Sequence, residues 1–276
     1  MSCPAVPLLG PINRDKIIIK KYYMKVIAFA NYKGGTAKTT TAHNVGAALT
    51  IKGRKVLLID FDPQSNLTGC LLSPREGAKI TATVFEAMTA RPTGSLPLPV
   101  LQVRPSLDLV PCSLKHSGTE TLISSRPDKA TILKQLVEPL RGKYDFIMID
   151  CPPTPGILTA NALAASDRVV IPIEAQALPM KGITQVLQMV EVIRAQFNPS
   201  LSLGGIAITR WKANNLSKIT EGMLRQTYEK VFAAKINESV QIATAPAFFR
   251  SIFEHAPKSR GAAQYMALAG EIAAIE

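Results

Sequence analysis

One segment limits the possible folds more than any other. The apolar run Lys25-Val26-Ile27-Ala28-Phe29-Ala30 enters a turn containing Gly34 and Gly35, and Ala42 to Ile51 then reads as a helix. A buried strand, a glycine turn and a helix form the context of a phosphate-binding loop. Backbone N–H groups of the turn and the first helical turn converge there, and the helix dipole adds positive charge, so phosphate oxygens can be held. In this reading Gly34, Gly35, Thr36, Ala37, Lys38, Thr39 and Thr40 form the cradle. Lys38 reaches the terminal phosphates and the Thr39 hydroxyl holds Mg²⁺. Ala37 stands where the usual pattern has its second glycine, a change that is tolerable if this residue adopts a helical φ, because a Cβ is penalised mainly at positive φ.

Two further strands end in acids. Lys55-Val56-Leu57-Leu58-Ile59-Asp60-Phe61-Asp62-Pro63-Gln64 is an apolar strand with two carboxylates at its end, and open parallel sheets place ligands at the carboxyl ends of their strands. Asp62 could alternatively open a simple Asp-Pro turn. Tyr144 to Asp150 is another apolar strand closing on an acid, followed by Cys151-Pro152-Pro153. This is the Walker B pattern, in which Asp150 holds Mg²⁺ through water, since that ion keeps several waters and takes one or two protein carboxylates.

The arrangement Lys33-Gly34-Gly35-Thr36-Ala37-Lys38-Thr39-Thr40, with Asp60-x-Asp62-Pro63-Gln64 and Asp150-x-Pro152-Pro153, resembles the ParA and MinD group of ATPases, which carry a deviant form of the loop. The resemblance runs from Met24 to the C-terminus and is strongest to the short ParA proteins. It implies that Lys33 is a signature lysine that crosses a dimer interface to the nucleotide of the partner subunit. It also implies that Asp60 lies near the metal and Asp62 near the attacking water, so that Lys33, Lys38 and Asp62 carry catalysis and Thr39, Asp60 and Asp150 the metal. The implied activity is slow ATP hydrolysis by a homodimer with ATP and Mg²⁺ sandwiched between subunits. That dimer binds DNA without sequence preference and is stimulated by a ParB-like centromere-binding protein in plasmid or chromosome segregation. Competing readings are a MinD-like or other cargo-positioning ATPase and a metabolic enzyme of the dethiobiotin synthetase kind.

A chain of 276 residues with 47% hydrophobic content can bury one large core or two modest ones. Strands alternating with helices predict one α/β domain over 24–276, doubly wound with a mostly parallel sheet. Further strands are expected at Leu107 to Pro111, Arg168 to Ile173, Gly204 to Thr209 and Phe232 to Ile236, with helices near 130–141, 156–165, 181–196, 216–230 and 261–275. Residues 1–23 read as an appendage, from an upstream start or as a basic arm. They leave no room for the helix-turn-helix domain of about a hundred residues that larger ParA proteins carry ahead of the loop.

Cys3, Cys70, Cys112 and Cys151 lack metal-ligand spacing, which argues against zinc and a disulfide framework, and against the cluster-bearing iron protein of nitrogenase that shares the deviant loop. They read as small buried thiols in a reducing cytoplasm. The net charge of +12 suggests a polyanionic partner. Residues Tyr265 to Glu276 contain two acids and no basic residue, so they read as a packing helix and not as a basic membrane-binding one. Basic residues recur instead in the last third, and Arg210, Lys212 and Arg250 are the candidate DNA-phosphate contacts of a nucleoid-associated protein. The alternative is an ordinary solvated basic face.

Overall fold

The computed structural model describes residues 25–90, 96–113, 118–175 and 180–275. The appendage 1–23, Cys3 and Met24 lie outside the described residues. Eight strands form one sheet: β1 (Lys25–Phe29), β2 (Val56–Asp60), β3 (Leu101–Arg104), β4 (Leu107–Val110), β5 (Phe146–Asp150), β6 (Arg168–Glu174), β7 (Ser202–Trp211) and β8 (Val231–Asn237). Their order is β3-β4-β2-β5-β1-β6-β7-β8, and every pairing is parallel except the edge pair β3–β4.

The central strands read as continuous apolar runs because both faces of the sheet are covered. Val26 and Ala28 of β1, Leu57 and Ile59 of β2, and Ile147 and Ile149 of β5 point into one core. Ile27 and Phe29, Val56 and Leu58, and Phe146 and Met148 alternate with them and point into the other. The first core is closed by α4 (Val84–Thr89), α5 (Thr119–Ser124), α6 (Ile132–Val137), α7 (Ile157–Ala165), α8 (Met180–Gln196) and α9 (Asn215–Thr227). The second is closed by α1 (Lys38–Ile51), α2 (Asn66–Leu71), α10 (Val240–Thr244), α11 (Ile252–His255) and α12 (Arg260–Ala273), while α3 (Pro74–Gly77) buries no residue. Burying each large aliphatic side chain on these faces contributes ~2 kcal/mol.

Helix α1 crosses β2 closely. A Cβ on Gly46 would stand 2.9 Å from a methyl of Leu58, so a larger residue there would have to push that side chain aside. Helix α12 packs against α1 and β8 through buried Tyr265, Leu268, Ala269 and Ile272, in agreement with its reading as a packing helix. No helix among the described residues is long and apolar enough to cross a membrane.

Several boundaries differ from expectation. Helix α1 starts four residues before Ala42, at Lys38, because the loop's last residues already take helical geometry. The helix expected over 130–141 is only α6, followed by a tight 3₁₀ turn over Glu138–Leu140, since Pro139 cannot donate a backbone hydrogen bond. Helix α9 ends at Thr227, three residues before 230, where Tyr228 turns to extended geometry. The antiparallel strand β3 was not anticipated, because prolines precede it and its side chains are half-exposed.

Candidate functional site

The register of three central strands assembles the site. In the β2–β5 ladder Asp60 stands opposite Asp150, and in the β1–β5 ladder Asp150 stands opposite Phe29, the last residue before the loop. Two acids distant in sequence therefore meet where the loop begins. Both are fully buried. Asp60 Oδ2 accepts hydrogen bonds from the Thr68 backbone N–H at 2.7 Å and the Thr68 hydroxyl at 2.6 Å, at the start of α2. Its Oδ1 and both oxygens of Asp150 accept none of ordinary geometry. Burial raises Asp60 to about 7 against the lowering effect of Thr68, with Asp62 adding to the rise. Asp150 is also pushed well above the usual carboxylate range, first by burial and then by Asp60, opposed by the Thr39 hydroxyl and the Lys38 ammonium.

The loop is held at both ends. The Asn31 side-chain amide donates to the Pro172 carbonyl at 2.8 Å, and its oxygen accepts the Lys33 N–H at 3.0 Å. The Thr209 hydroxyl, at the end of β7, lies 3.1 Å from the Thr36 carbonyl and 2.8 Å from that of Ile173. Gly35 has φ 77°, a left-handed value open to glycine. Ala37 corrects the expectation of a helical φ: it caps the N-terminus of α1 at φ 63° and ψ 32°. The loop must reverse there to present α1 end-on, so the chain accepts a left-handed alanine. No side chain caps α1, which leaves its first N–H groups directed at the loop's concavity.

The two lysines have opposite environments. Lys38 is 7% exposed, and burial lowers its pKa against the charges of Asp150, Cys151 and Asp62. The Lys33 side chain is 54% exposed and lies 3.9 Å from Glu174 at the end of β6. Asp62 forms the turn considered for it and also borders the cavity. Its Oδ1 accepts the Gln64 N–H at 3.0 Å and its carbonyl the Ser65 N–H at 2.8 Å, closing the turn, while its side chain lines the cavity.

That cavity has a volume of about 620 Å³. One wall is the loop from Gly34 to Thr40 with Asp62, Gln64 and Pro153; the other comes from Thr209, Arg210, Asn237, Glu238, Ile242 and Tyr265. The second wall was not anticipated as part of the nucleotide site. Arg210 NH1 lies 3.6 Å from Glu174, and its NH2 lies 3.4 Å from Glu238. Lys212 Nζ stands 2.6 Å from the other oxygen of Glu238. Arg210 and Lys212 thus flank one acid, whereas Arg250 lies beyond the 3₁₀ turn Ala245–Phe248. Glu174 ends a strand just as Asp60 and Asp150 do, so the rule that found those acids could have found it. Other residues of that wall come from β8, α10 and α12 and carry no motif.

Cys151 and Cys112 are buried and Cys70 is partly exposed; burial pushes the Cys70 thiol up to about 12 and the other two higher still, as for inert packing thiols. The three orphaned carboxylate oxygens beside Thr39 and the loop fit a hard divalent cation. Among the described residues no three His, Cys, Asp or Glu side chains form a metal-holding group, so such a cation would take its remaining ligands from phosphate and water.

A family model described as an AAA domain matches residues 24–203. The sporulation initiation inhibitor protein Soj of Bacillus subtilis is 35% identical over 252 residues, covering 91% of this chain and 98% of that protein. The chromosome partitioning protein ParA of Caulobacter vibrioides is 33% identical over 260 residues, covering 92% and 95%. Among solved structures, cobyrinic acid a,c-diamide synthase from Mycobacterium smegmatis, with bound ATP analogue and magnesium, aligns with a TM-score of 0.77 at 32% identity over 90% of this chain and 93% of its own. With the deviant loop, the paired acids and an eight-stranded, mostly parallel sheet in place, this chain belongs to the ParA/Soj family of P-loop ATPases.

Proposed function

We propose that this chain is a DNA-partitioning ATPase whose nucleotide state sets its assembly state. The observation that carries the reading is the split between its two loop lysines: Lys38 turned into the cavity and Lys33 projecting from the same loop into solvent. A cation held outside its own site can serve the nucleotide of a second subunit, so ATP bound in one protomer favours closure of a homodimer around it.

Within one protomer, the N–H groups of Gly34 to Thr40 and the Lys38 ammonium bind the phosphates, with Thr39, Asp60 and Asp150 disposed to hold Mg²⁺. That ion, when bound, neutralises charge on the phosphate oxygens. Asp62 orients the attacking water and accepts its proton. Little covalent chemistry is asked of the protein, since phosphoryl transfer depends on positioning and charge. Hydrolysis in the isolated dimer is therefore slow, and a ParB-like partner accelerates it by improving one or both. The net charge of +12 supports a polyanion as cargo track. Lys212 and Arg250, with Arg210 as a third candidate, are the proposed contacts to DNA phosphates, and the protein would work on the nucleoid in the cytoplasm.

The likeness to a cobyrinic acid a,c-diamide synthase favours one second reading, a metabolic enzyme with a small-molecule substrate in the same cavity. One experiment separates them. Sedimentation and duplex-DNA gel shifts with a non-hydrolysable ATP analogue and with ADP should give a DNA-binding dimer in the first state and a monomer in the second. Lys33→Ala should bind the analogue one-to-one yet remain monomeric. A wild-type chain that binds DNA equally in both states, or not at all at low salt, would sink the partitioning mechanism.

A further inference from the structure

We infer that Arg210 is a nucleotide ligand acting in its own subunit, a second cation aimed at the polyphosphate from the wall opposite Lys38. This rests on the ATPase reading and adds to it a residue outside the loop and strand motifs.

The guanidinium lies against the phosphate cradle: its NH1 is 4.0 Å from the position a Cβ would take on Gly35. It lines the same cavity as Lys38 and Thr39. Its backbone has φ 48°, an uncommon value for a residue with a Cβ, and such strain gathers at functional sites. The preceding residue explains how the strain is held, because the Thr209 hydroxyl ties the end of β7 to the Thr36 carbonyl of the loop. Strand β7 therefore delivers Arg210 to the loop in fixed register.

Its present partners are replaceable. Glu174 and Glu238 meet the guanidinium at 3.6 Å and 3.4 Å, loose separations for ion pairs, and the arginine side chain is 44% exposed. Pairs of this kind are weak in water, whereas a planar guanidinium on phosphate makes two parallel charge-assisted hydrogen bonds. Phosphate entering the cradle wins Arg210 from its carboxylates. Glu238 keeps Lys212 at 2.6 Å, so it is not left uncompensated.

The test is equilibrium titration of the full chain with fluorescent ATP and ADP analogues. Arg210→Asn removes the charge while keeping a residue that tolerates left-handed backbone, so the fold is spared. It should weaken binding on the order of tenfold. Arg210→Lys should fall between, because an ammonium keeps the charge without the fork. Glu238→Gln should instead tighten binding about threefold by removing a competitor for the guanidinium. Wild-type chain that binds neither nucleotide would refute the ATPase reading itself. Wild-type binding matched by Arg210→Asn refutes only the role of Arg210, and if that variant also loses DNA affinity at saturating nucleotide, the residue belongs to the DNA surface.

Discussion

On the loop side of the cavity, at the ends of β2 and β5, Asp60 and Asp150 are fully buried and three of their four oxygens accept no hydrogen bond of ordinary geometry, whereas on the β7–β8 side Arg210 and Lys212 each find a carboxylate within 3.6 Å. The first region holds charge that the protein alone does not satisfy, and an interior carboxylate without a partner is costly. The second is half-exposed and already compensated, so its pairs contribute little to stability and can be exchanged. Unsatisfied groups concentrate where a ligand completes the structure; satisfied ones sit where a ligand must compete.

That contrast can be broken first at Asp62. Asp62→Ala should leave ATP binding in place while single-turnover hydrolysis falls by about 10²–10⁴. A normal rate would return the acid to its turn with Gln64 and Ser65. Next, Lys38→Ala should reduce nucleotide affinity by ~10²-fold or more in calorimetric titration, since desolvated phosphate loses its main counter-charge. Affinity within a few-fold of wild type would mean that the backbone cradle suffices.

A smaller effect comes from His43, buried in α1, whose pKa is lowered to about 4, mainly by burial and also by Arg104, against the pull of Glu254. The unfolded histidine titrates near 6.5 and takes up its proton first as the pH drops. Its contribution is therefore complete above that value and is lost as the pH falls toward 4. Urea denaturation should show about 2 kcal/mol less stability at about pH 5 than at about pH 7.5 from this group. His43→Gln should remove that part of the slope; an unchanged slope would show that His43 is not its source, since the buried acids, raised in the fold, act with the opposite sign. The smallest change is at Ala37. Ala37→Gly relieves a left-handed alanine but frees the unfolded chain, for a net gain of about 0.5 kcal/mol by thermal melting. A loss would show that its methyl packs usefully.

Much of the loop side was legible without coordinates. A strand that ends in an acid announces a carboxylate at the carboxyl edge of a parallel sheet, from which Asp60 and Asp150 follow, while Lys38 follows from the glycine turn between strand and helix. The φ of Ala37 was not legible, because alanine itself expresses no preference for the left-handed value that the loop imposes. Nor was the role of Thr68, whose hydroxyl and N–H steady Asp60 from α2, a six-residue helix with too few residues to show a periodic apolar face. The edge strand β3 escaped for a related reason: its alternation is blurred where only one neighbour pairs with it.

The sequence by itself determined the chemistry of the loop, the alternation of the parallel strands with the longer helices, and the presence of acids at strand ends, because each is encoded by neighbours within a few residues. Only the tertiary structure decided which acids face each other, that Lys38 is buried while Lys33 projects, and that Arg210, Asn237 and Glu238 close the cavity over the loop. Those facts depend on strand register and on the approach of β7 to β1 across β6, and hydrogen bonds between residues more than a hundred positions apart leave no local pattern to read.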